Sequence, residues 1–321
     1  MTEILKTLWA KLYAWALPSA LALGATWLFL LPQLGDSLRF RTDLAKDEQG
    51  LVFFTLITGA LAISLSSLST LLYRILEGYL WPRWLQEWGV KRERARKKAL
   101  HAAVRGSGWR QNVALENLAR YPMDDHQILP TRFGNAIRAF ETYGKSRFNM
   151  DSQTLWYELV AVTGGYIQSE IDSAQSSVDF FVALFYLSAL FCFVCLILGA
   201  IEHFNIGILL LSVPAFLLAI FCHWLAIKAI DAQSYPIHAL VNLGRVKLAD
   251  SLGLTLPKTL EKEKEMWGLV TKYAYYATPE YGERLNAYRK APTEQGAEKG
   301  TGEEGGAGSG GTGADGNLPI P

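Results

Sequence analysis

The sequence predicts an all-α membrane protein with four transmembrane helices in two hairpins and a helical cytoplasmic domain between spans 2 and 3. Half of the 321 residues are hydrophobic and only 19% are charged, against about 25% in a typical soluble domain. The apolar residues are concentrated in four runs, each close to the roughly 20 residues that cross a bilayer. Basic residues collect between the second and third runs. The net charge of +1 argues against a nucleic-acid partner.

The four predicted spans cover residues 17–34, 51–73, 178–200 and 206–227. The only charged residue in these runs is Asp179, at the start of the third. Because backbone groups in lipid must hydrogen-bond internally, the runs are expected to be helices. Lys6 and Lys11 precede the first run as they would in a signal peptide. No small-residue cleavage site follows, so we expect a retained anchor.

The distribution of basic residues predicts the orientation. Nine Lys or Arg residues lie in residues 74–105, three in residues 35–50 and none in residues 201–205. Cytoplasmic loops carry the excess of Lys and Arg. The long middle segment is therefore expected in the cytoplasm, and both termini with it.

Five segments follow from this division. They are a first transmembrane hairpin (1–73), a basic helical cytoplasmic domain (74–177), a second hairpin (178–230), C-terminal cytoplasmic helices (231–290) and a tail (291–321). The tail holds ten glycines and five acidic residues and is predicted to be disordered. Helices are expected over residues 84–104, 110–120, 131–142, 155–177 and 258–277, with a weak point at Gly164 and Gly165.

A basic cluster on the first cytoplasmic helix suits anionic lipid headgroups. The same charges would also serve only to set the topology, and the sequence does not separate the two interpretations. The cluster consists of Lys91, Arg92, Arg94, Arg96, Lys97 and Lys98.

The helix that Thr131 is expected to cap carries the candidate binding surface. Spacing places Arg132, Asn135 and Arg138 on one face, opposite three apolar residues, Phe133, Ile137 and Phe140. Arg and Asn suit a carboxylate or phosphate ligand. Two alternatives remain: a solvent face with a local Arg138–Glu141 pair, or an internal pair with the candidate partners Glu170, Asp172 and Asp179.

Several strings resemble an uncharacterised family of bacterial four-span membrane proteins. They are residues 73–79, Trp81-Pro82, Tyr121-Pro122, 129–139, and 252–257 with Glu261, Glu263 and Trp267. The most specific is Leu-Pro-Thr-Arg-x-Gly-Asn at residues 129–135. The resemblance covers about residues 6–277. It implies four spans in a bacterial cytoplasmic (inner) membrane and no established activity.

No constellation for catalysis, a cofactor or a metal is visible. Gly144-Lys145-Ser146 lacks the first glycine and the preceding strand of a P-loop. Cys192 and Cys195 have redox spacing but lie within an apolar span, where cysteine is a small hydrophobe. His126, beside two aspartates, is expected to be solvated, and His223 is an intramembrane ionisable residue and so a functional candidate.

The second span is rich in hydroxyl groups, which would either line a polar pore or allow close helix packing. These are Ser64, Ser66, Ser67, Ser69 and Thr70. We favour packing, since small residues are the usual means of close helix contact in lipid. Apart from Asp179, the runs lack the charged groups that mark ion paths. The sequence therefore predicts a non-enzymatic inner-membrane scaffold that recruits a partner, either another protein or a second copy of the chain. A channel or transporter subunit is the alternative.

Overall fold

The computed structural model describes residues 2–34, 48–201 and 205–290. Within them the chain is helical, without strands, and a single bridge joins Leu254 to Arg289. The all-α prediction is confirmed for this part of the chain. The glycine-rich tail lies outside the described residues.

Eleven α-helices are described, and their bounds follow. They are α1 (Thr2–Ala25), α2 (Glu48–Glu77), α3 (Arg83–Val104), α4 (Trp109–Leu118), α5 (Arg132–Glu141), α6 (Tyr143–Phe148), α7 (Trp156–Thr163), α8 (Gly165–Ile201), α9 (Ile206–Ser251), α10 (Leu260–Tyr276) and α11 (Pro279–Leu285). Helix α1 continues through a π-helical turn, Thr26–Leu30, and a 3-10 turn, Leu31–Gln33.

Four helices are long and apolar enough to cross a membrane, which confirms the number of spans. Their candidate ranges are Tyr13–Gln33, Gly50–Glu77, Gly165–Ile201 and Ile206–Ser251. At 1.5 Å per residue, α8 and α9 are about 55 and 69 Å long, well beyond the roughly 30 Å of a hydrocarbon core. Both helices must therefore extend past the membrane.

Helices α8 and α9 pack against each other, α1 packs on α8 and on α2, and α2 lies at the edge of the bundle. Apolar side chains of α2 such as Leu51, Phe53 and Ile63 are exposed. Exposed apolar groups are expected on a lipid-facing helix, because the surrounding acyl chains are equally apolar.

One hydrophobic core joins the inner ends of α8 and α9 to the helices that follow the spans. It includes Phe133, Val182, Leu240 and Trp267, each 1% exposed or less. The predicted boundaries after residues 177 and 230 fall inside the continuous helices α8 and α9. In each case the span and the segment next to it form one continuous helix.

The expected weak point before the third span is a complete break, because Gly164 has a φ of +88° that ends α7. Glycine adopts this left-handed region without the steric cost of a side chain. The prediction of a helix capped by Thr131 is confirmed, since its Oγ1 accepts a hydrogen bond from Gly134 N at 2.9 Å. Helices α6 and α11 were not predicted.

Candidate functional site

A cavity of about 1110 Å³ lies between α2, α5, α8 and α9. Its lining is mostly polar, and each wall is one face of a helix. Helix α2 contributes a row with helical spacing. The row consists of Ser66, Ser69, Thr70, Tyr73, Arg74 and Glu77.

The hydroxyl groups of the second span therefore divide into two sets. Ser66, Ser69 and Thr70 line the cavity. Ser64 and Ser67 lie outside it and donate hydrogen bonds at 2.8 Å to the carbonyls four residues earlier on their own helix. The interpretation as helix packing alone does not account for the first set.

The facing wall is the inner part of α8, with Gln168, Asp172, Gln175 and Asp179 on one face. Gln168 donates to Asp172 at 2.9 Å, and Gln175 donates to Asp179 at 3.0 Å. Each acidic side chain thus has an amide donor one helical turn before it. Both aspartates are half-buried rather than solvated.

A hydrogen-bond network ties three helices together at Asp179. The Tyr73 hydroxyl of α2 donates to Asp179 Oδ1 at 2.8 Å, and Gln175 Nε2 donates to Tyr73 Oη at 3.0 Å. From α9, Gln233 Nε2 donates to Gln175 Oε1. Since Gln233 is buried, this hydrogen bond between two side-chain amides fixes α8 against α9 at the base of the cavity.

Helix α5 lines one side of the cavity with Arg138 and Glu141, whose charged atoms are 3.3 Å apart. Arg138 also donates to the Tyr79 hydroxyl. Burial raises the pKa of Glu141, and the positive charge of Arg138 partly opposes that shift. Burial likewise raises the pKa of Tyr79.

The cavity is lined by more acidic than basic side chains. Four carboxylates line it, from Glu77, Glu141, Asp172 and Asp179, against two guanidinium groups, from Arg74 and Arg138. A cavity with low-dielectric walls and one prevailing sign of charge concentrates ions of the opposite sign. Its electrostatics therefore favour a cationic ligand.

The cavity lies toward one end of the candidate spans. Ser66 is sixteen residues after Gly50, the start of the second candidate span, which places it about 24 Å along the helix. Glu77 follows at about 40 Å, beyond a hydrocarbon core of roughly 30 Å. The polar lining thus begins near the boundary of the core at the C-terminal end of the second candidate span.

The three residues of the predicted binding surface are not brought together in one exposed patch. Asn135 is fully buried. Its side-chain amide accepts a hydrogen bond from Leu129 N and donates to Leu129 O and Thr131 O, at 2.8 to 2.9 Å. Arg132 is exposed and lines a second, separate cavity. Only Arg138 faces the large cavity.

The most specific string of the sequence, residues 129–135, forms a structural joint. The Thr131 hydroxyl donates to Leu76 O of α2 at 2.7 Å. A Cβ at Gly134 would lie 2.8 Å from Glu77 O, and one at Gly89 would lie 2.8 Å from Pro130 O. Backbone contacts this close explain why small residues are needed where α5 crosses α2 and α3.

The candidate internal partners also separate. Asp172 and Asp179 lie in the cavity, whereas Glu170 is exposed on another face of α8. Among the described residues, Arg138 forms its ion pair with Glu141, the local pair that was one of the alternatives.

In the predicted lipid-binding cluster on α3, one side chain is buried in the protein and most of the others are exposed. Lys97 is buried and donates to Pro122 O at 2.8 Å and to Asp125 at 2.6 Å. That hydrogen bond from Lys97 lowers the pKa of Asp125. Lys91, Arg94 and Lys98 are exposed, as is Arg92, which pairs with the buried Glu93 at 3.0 Å.

Sequence analysis did not identify Tyr73 or the glutamines of the cavity. The signal was available on α8, where Gln168, Asp172, Gln175 and Asp179 repeat at helical spacing. Among the described residues, no group of three or more His, Cys, Asp or Glu is placed to hold a metal ion. Cys192, Cys195 and Cys222 are buried free thiols.

Comparison of the chain with known protein families, with characterised proteins and with solved structures gave no significant match.

Proposed function

We propose that this chain is a non-enzymatic protein of the bacterial cytoplasmic membrane that recruits a cationic partner at the cytoplasmic face, with both termini in the cytoplasm. The observation that carries the proposal is the excess of carboxylates in the interfacial cavity. The choice of the bacterial cytoplasmic membrane rests on the resemblance to bacterial four-span proteins. The orientation rests on the basic residues of segment 74–105.

The arrangement around the two aspartates suits an ammonium or guanidinium group. Asp172 is an acceptor held in place by a neutral donor, Gln168, and Asp179 accepts hydrogen bonds from Gln175 and Tyr73. The neutral amide of Gln168 orients the Asp172 carboxylate without cancelling its charge. A cation that enters the cavity therefore meets acceptors that are already oriented. The free-energy cost of ordering these side chains on binding is reduced.

Binding of spermidine, a polyamine that represents the ligand class, tests this proposal. Purified protein in detergent is titrated with spermidine, and binding is measured by equilibrium dialysis. We expect the double variant Asp172→Asn, Asp179→Asn to bind at least tenfold more weakly. The control is Glu170→Gln, which removes an exposed carboxylate of the same helix from outside the cavity.

Circular dichroism first shows that the variants fold. If the double variant unfolds, Asp172→Asn alone is used, because Asp172 is not part of the Tyr73 network. Equal spermidine binding by the wild type and the aspartate variants would contradict the proposal. So would an equal loss in Glu170→Gln, which would indicate diffuse surface attraction.

A channel or transporter subunit is the second candidate, favoured by the position of Ser66, Ser69 and Thr70 in the second span. Against a continuous path, Ala14, Trp15, Ala62 and Ala183 pack into an apolar cluster at this level. Reconstituted liposomes loaded with a potassium-sensitive dye separate the two functions. Flux that falls in a Ser66→Leu variant would favour transport, and no flux would favour recruitment.

A further inference from the structure

A second cavity of about 340 Å³ lies on another side of the molecule, between α3, α4, α5 and α9, and has the opposite charge. Four cationic side chains line it: Arg96, Arg120, Arg132 and Lys228. Its residues do not overlap with those of the acidic cavity. It can therefore be considered independently of the proposed recruitment of a cation.

Two of the four cations are neutralised by the protein. Arg120 forms a two-pronged contact with Asp231, with both N–O distances at 2.7 Å. Lys228 pairs with Glu116 at 2.8 Å, and Glu116 also accepts from Arg120 at 2.6 Å. The hydrogen bond and charge of Lys228 lower the pKa of Glu116.

The other two cations, Arg96 and Arg132, have no ion pair with a carboxylate in the described part of the chain. Arg96 Nη1 is buried and has no hydrogen-bond partner. A buried donor without an acceptor costs roughly 1 to 3 kcal/mol, and more when it is charged. Since Arg96 lines the cavity, a rotation of its side chain would bring this donor to an anion bound there.

The cavity lies at the level of lipid headgroups. Its wall on α9 is formed by Trp224, Ile227 and Lys228. Trp224 is eighteen residues after Ile206, where the fourth candidate span begins, so it lies about 27 Å along the helix. That is the inner boundary of a hydrocarbon core of roughly 30 Å, where exposed tryptophans are enriched. Trp224 is half exposed.

We propose that this cavity binds the phosphate of an anionic glycerophospholipid, with the acyl chains along the outer surface of α9 next to Trp224. The guanidinium groups of Arg96 and Arg132 supply the donors, and the fork geometry of arginine matches phosphate oxygens. The apolar neighbours of Trp224 on α9 are exposed, among them Phe221, Ile220 and Leu217. A soluble phosphate would make no use of this surface.

Native mass spectrometry of the detergent-purified protein tests the site, with phosphatidylglycerol as the probe and phosphatidylcholine as the zwitterionic control. We expect the wild type to retain phosphatidylglycerol selectively. The double variant Arg96→Gln, Arg132→Gln should weaken that affinity roughly 20- to 30-fold, since each basic residue near a membrane surface contributes about a fivefold factor.

The matched control is Lys258→Gln, Lys262→Gln, which removes the same charge from exposed positions outside the cavity and outside the basic cluster of α3. Its phosphatidylglycerol affinity should stay within about twofold of the wild type. If the arginine pair unfolds the protein, the exposed Arg132→Gln is tested alone and should still weaken binding.

Three results would overturn the proposal. Equal losses in the arginine and lysine variants would show diffuse attraction to the surface. Equal retention of phosphatidylcholine would show that the phosphodiester charge is not selected. Displacement of phosphatidylglycerol by millimolar inorganic phosphate would show that the ligand is free phosphate rather than lipid.

Discussion

At the scale of single residues, Asn135 shows how a polar side chain that suits a ligand can serve structure instead. Its amide accepts from Leu129 N and donates to Leu129 O and Thr131 O. These bonds satisfy the backbone of the loop before α5, which otherwise would bury unpaired polar groups. Asn135 is therefore a positioning residue for the cavity wall that carries Arg138.

Replacing Asn135 with Ala is expected to destabilise the protein by about 1 to 3 kcal/mol for each buried group left without a partner. The measurement is thermal unfolding in detergent, followed by circular dichroism. The control is Asn112→Ala, which removes an exposed asparagine from α4 and should leave the midpoint almost unchanged. Equal midpoints for Asn135→Ala and the wild type would contradict this account.

Arg138 illustrates the opposite case, in which a predicted site residue does reach a cavity. Its guanidinium contacts Glu141 and the Tyr79 hydroxyl and lies 6.0 Å from the centre of the Tyr79 ring. These contacts hold a charged group at the edge of the acidic cavity. Arg138 thus balances part of the negative charge that the carboxylates contribute.

At the scale of elements, local patterns were sufficient to predict the spans and the helix capped by Thr131. Each follows from residues near one another in sequence. The burial of Asn135 was not predictable in this way, because it depends on how the loop from Leu129 folds back over α5. The link between Gln175 and Gln233 requires knowing that α8 and α9 pack side by side.

The crossing of α5 over the end of α2 provides an element-scale prediction. In Gly134→Ala the new Cβ would lie 2.8 Å from Glu77 O, and the backbone must move. We expect a loss of about 1 to 3 kcal/mol of stability, as for other overpacked contacts. The same substitution at Gly59 of α2 meets no atom within 4 Å.

Thermal unfolding of Gly134→Ala and Gly59→Ala in the same detergent compares the two sites. Only Gly134→Ala should lower the midpoint, because Ala is otherwise the better helix former. If both variants unfold at the wild-type temperature, α5 does not approach α2 as closely as described. The acidic cavity would then have a different wall.

At the scale of the whole molecule, the two cavities have linings of opposite charge, and each is proposed to bind a ligand of the opposite sign. The acidic cavity is enclosed by α2, α5, α8 and α9, and the basic cavity opens toward α9 beside Trp224. Helix α9 runs unbroken from its span into the segment that lines both cavities, and α8 runs unbroken from its span into the segment that lines the acidic one. Binding in either cavity therefore acts on elements that also cross the membrane.

Both proposals require that the two cavities face the cytoplasm, which gives the final prediction. Four crossings place both termini on one side, and the excess of Lys and Arg in residues 74–105 makes that side the cytoplasm. Single cysteines are introduced at positions 43, 98 and 202 of a chain whose native cysteines are replaced by Ala. Lys98 is chosen because it is exposed, whereas the buried Lys97 holds Asp125.

In intact cells, a membrane-impermeant maleimide should label cysteines at positions 43 and 202 but not at 98. After permeabilisation it should label all three, which shows that protection at 98 comes from the membrane and not from burial. The reverse pattern in intact cells would place the basic segment outside. In that case the acidic cavity would face the cell exterior, and neither a cytoplasmic partner nor an inner-leaflet lipid could reach its site.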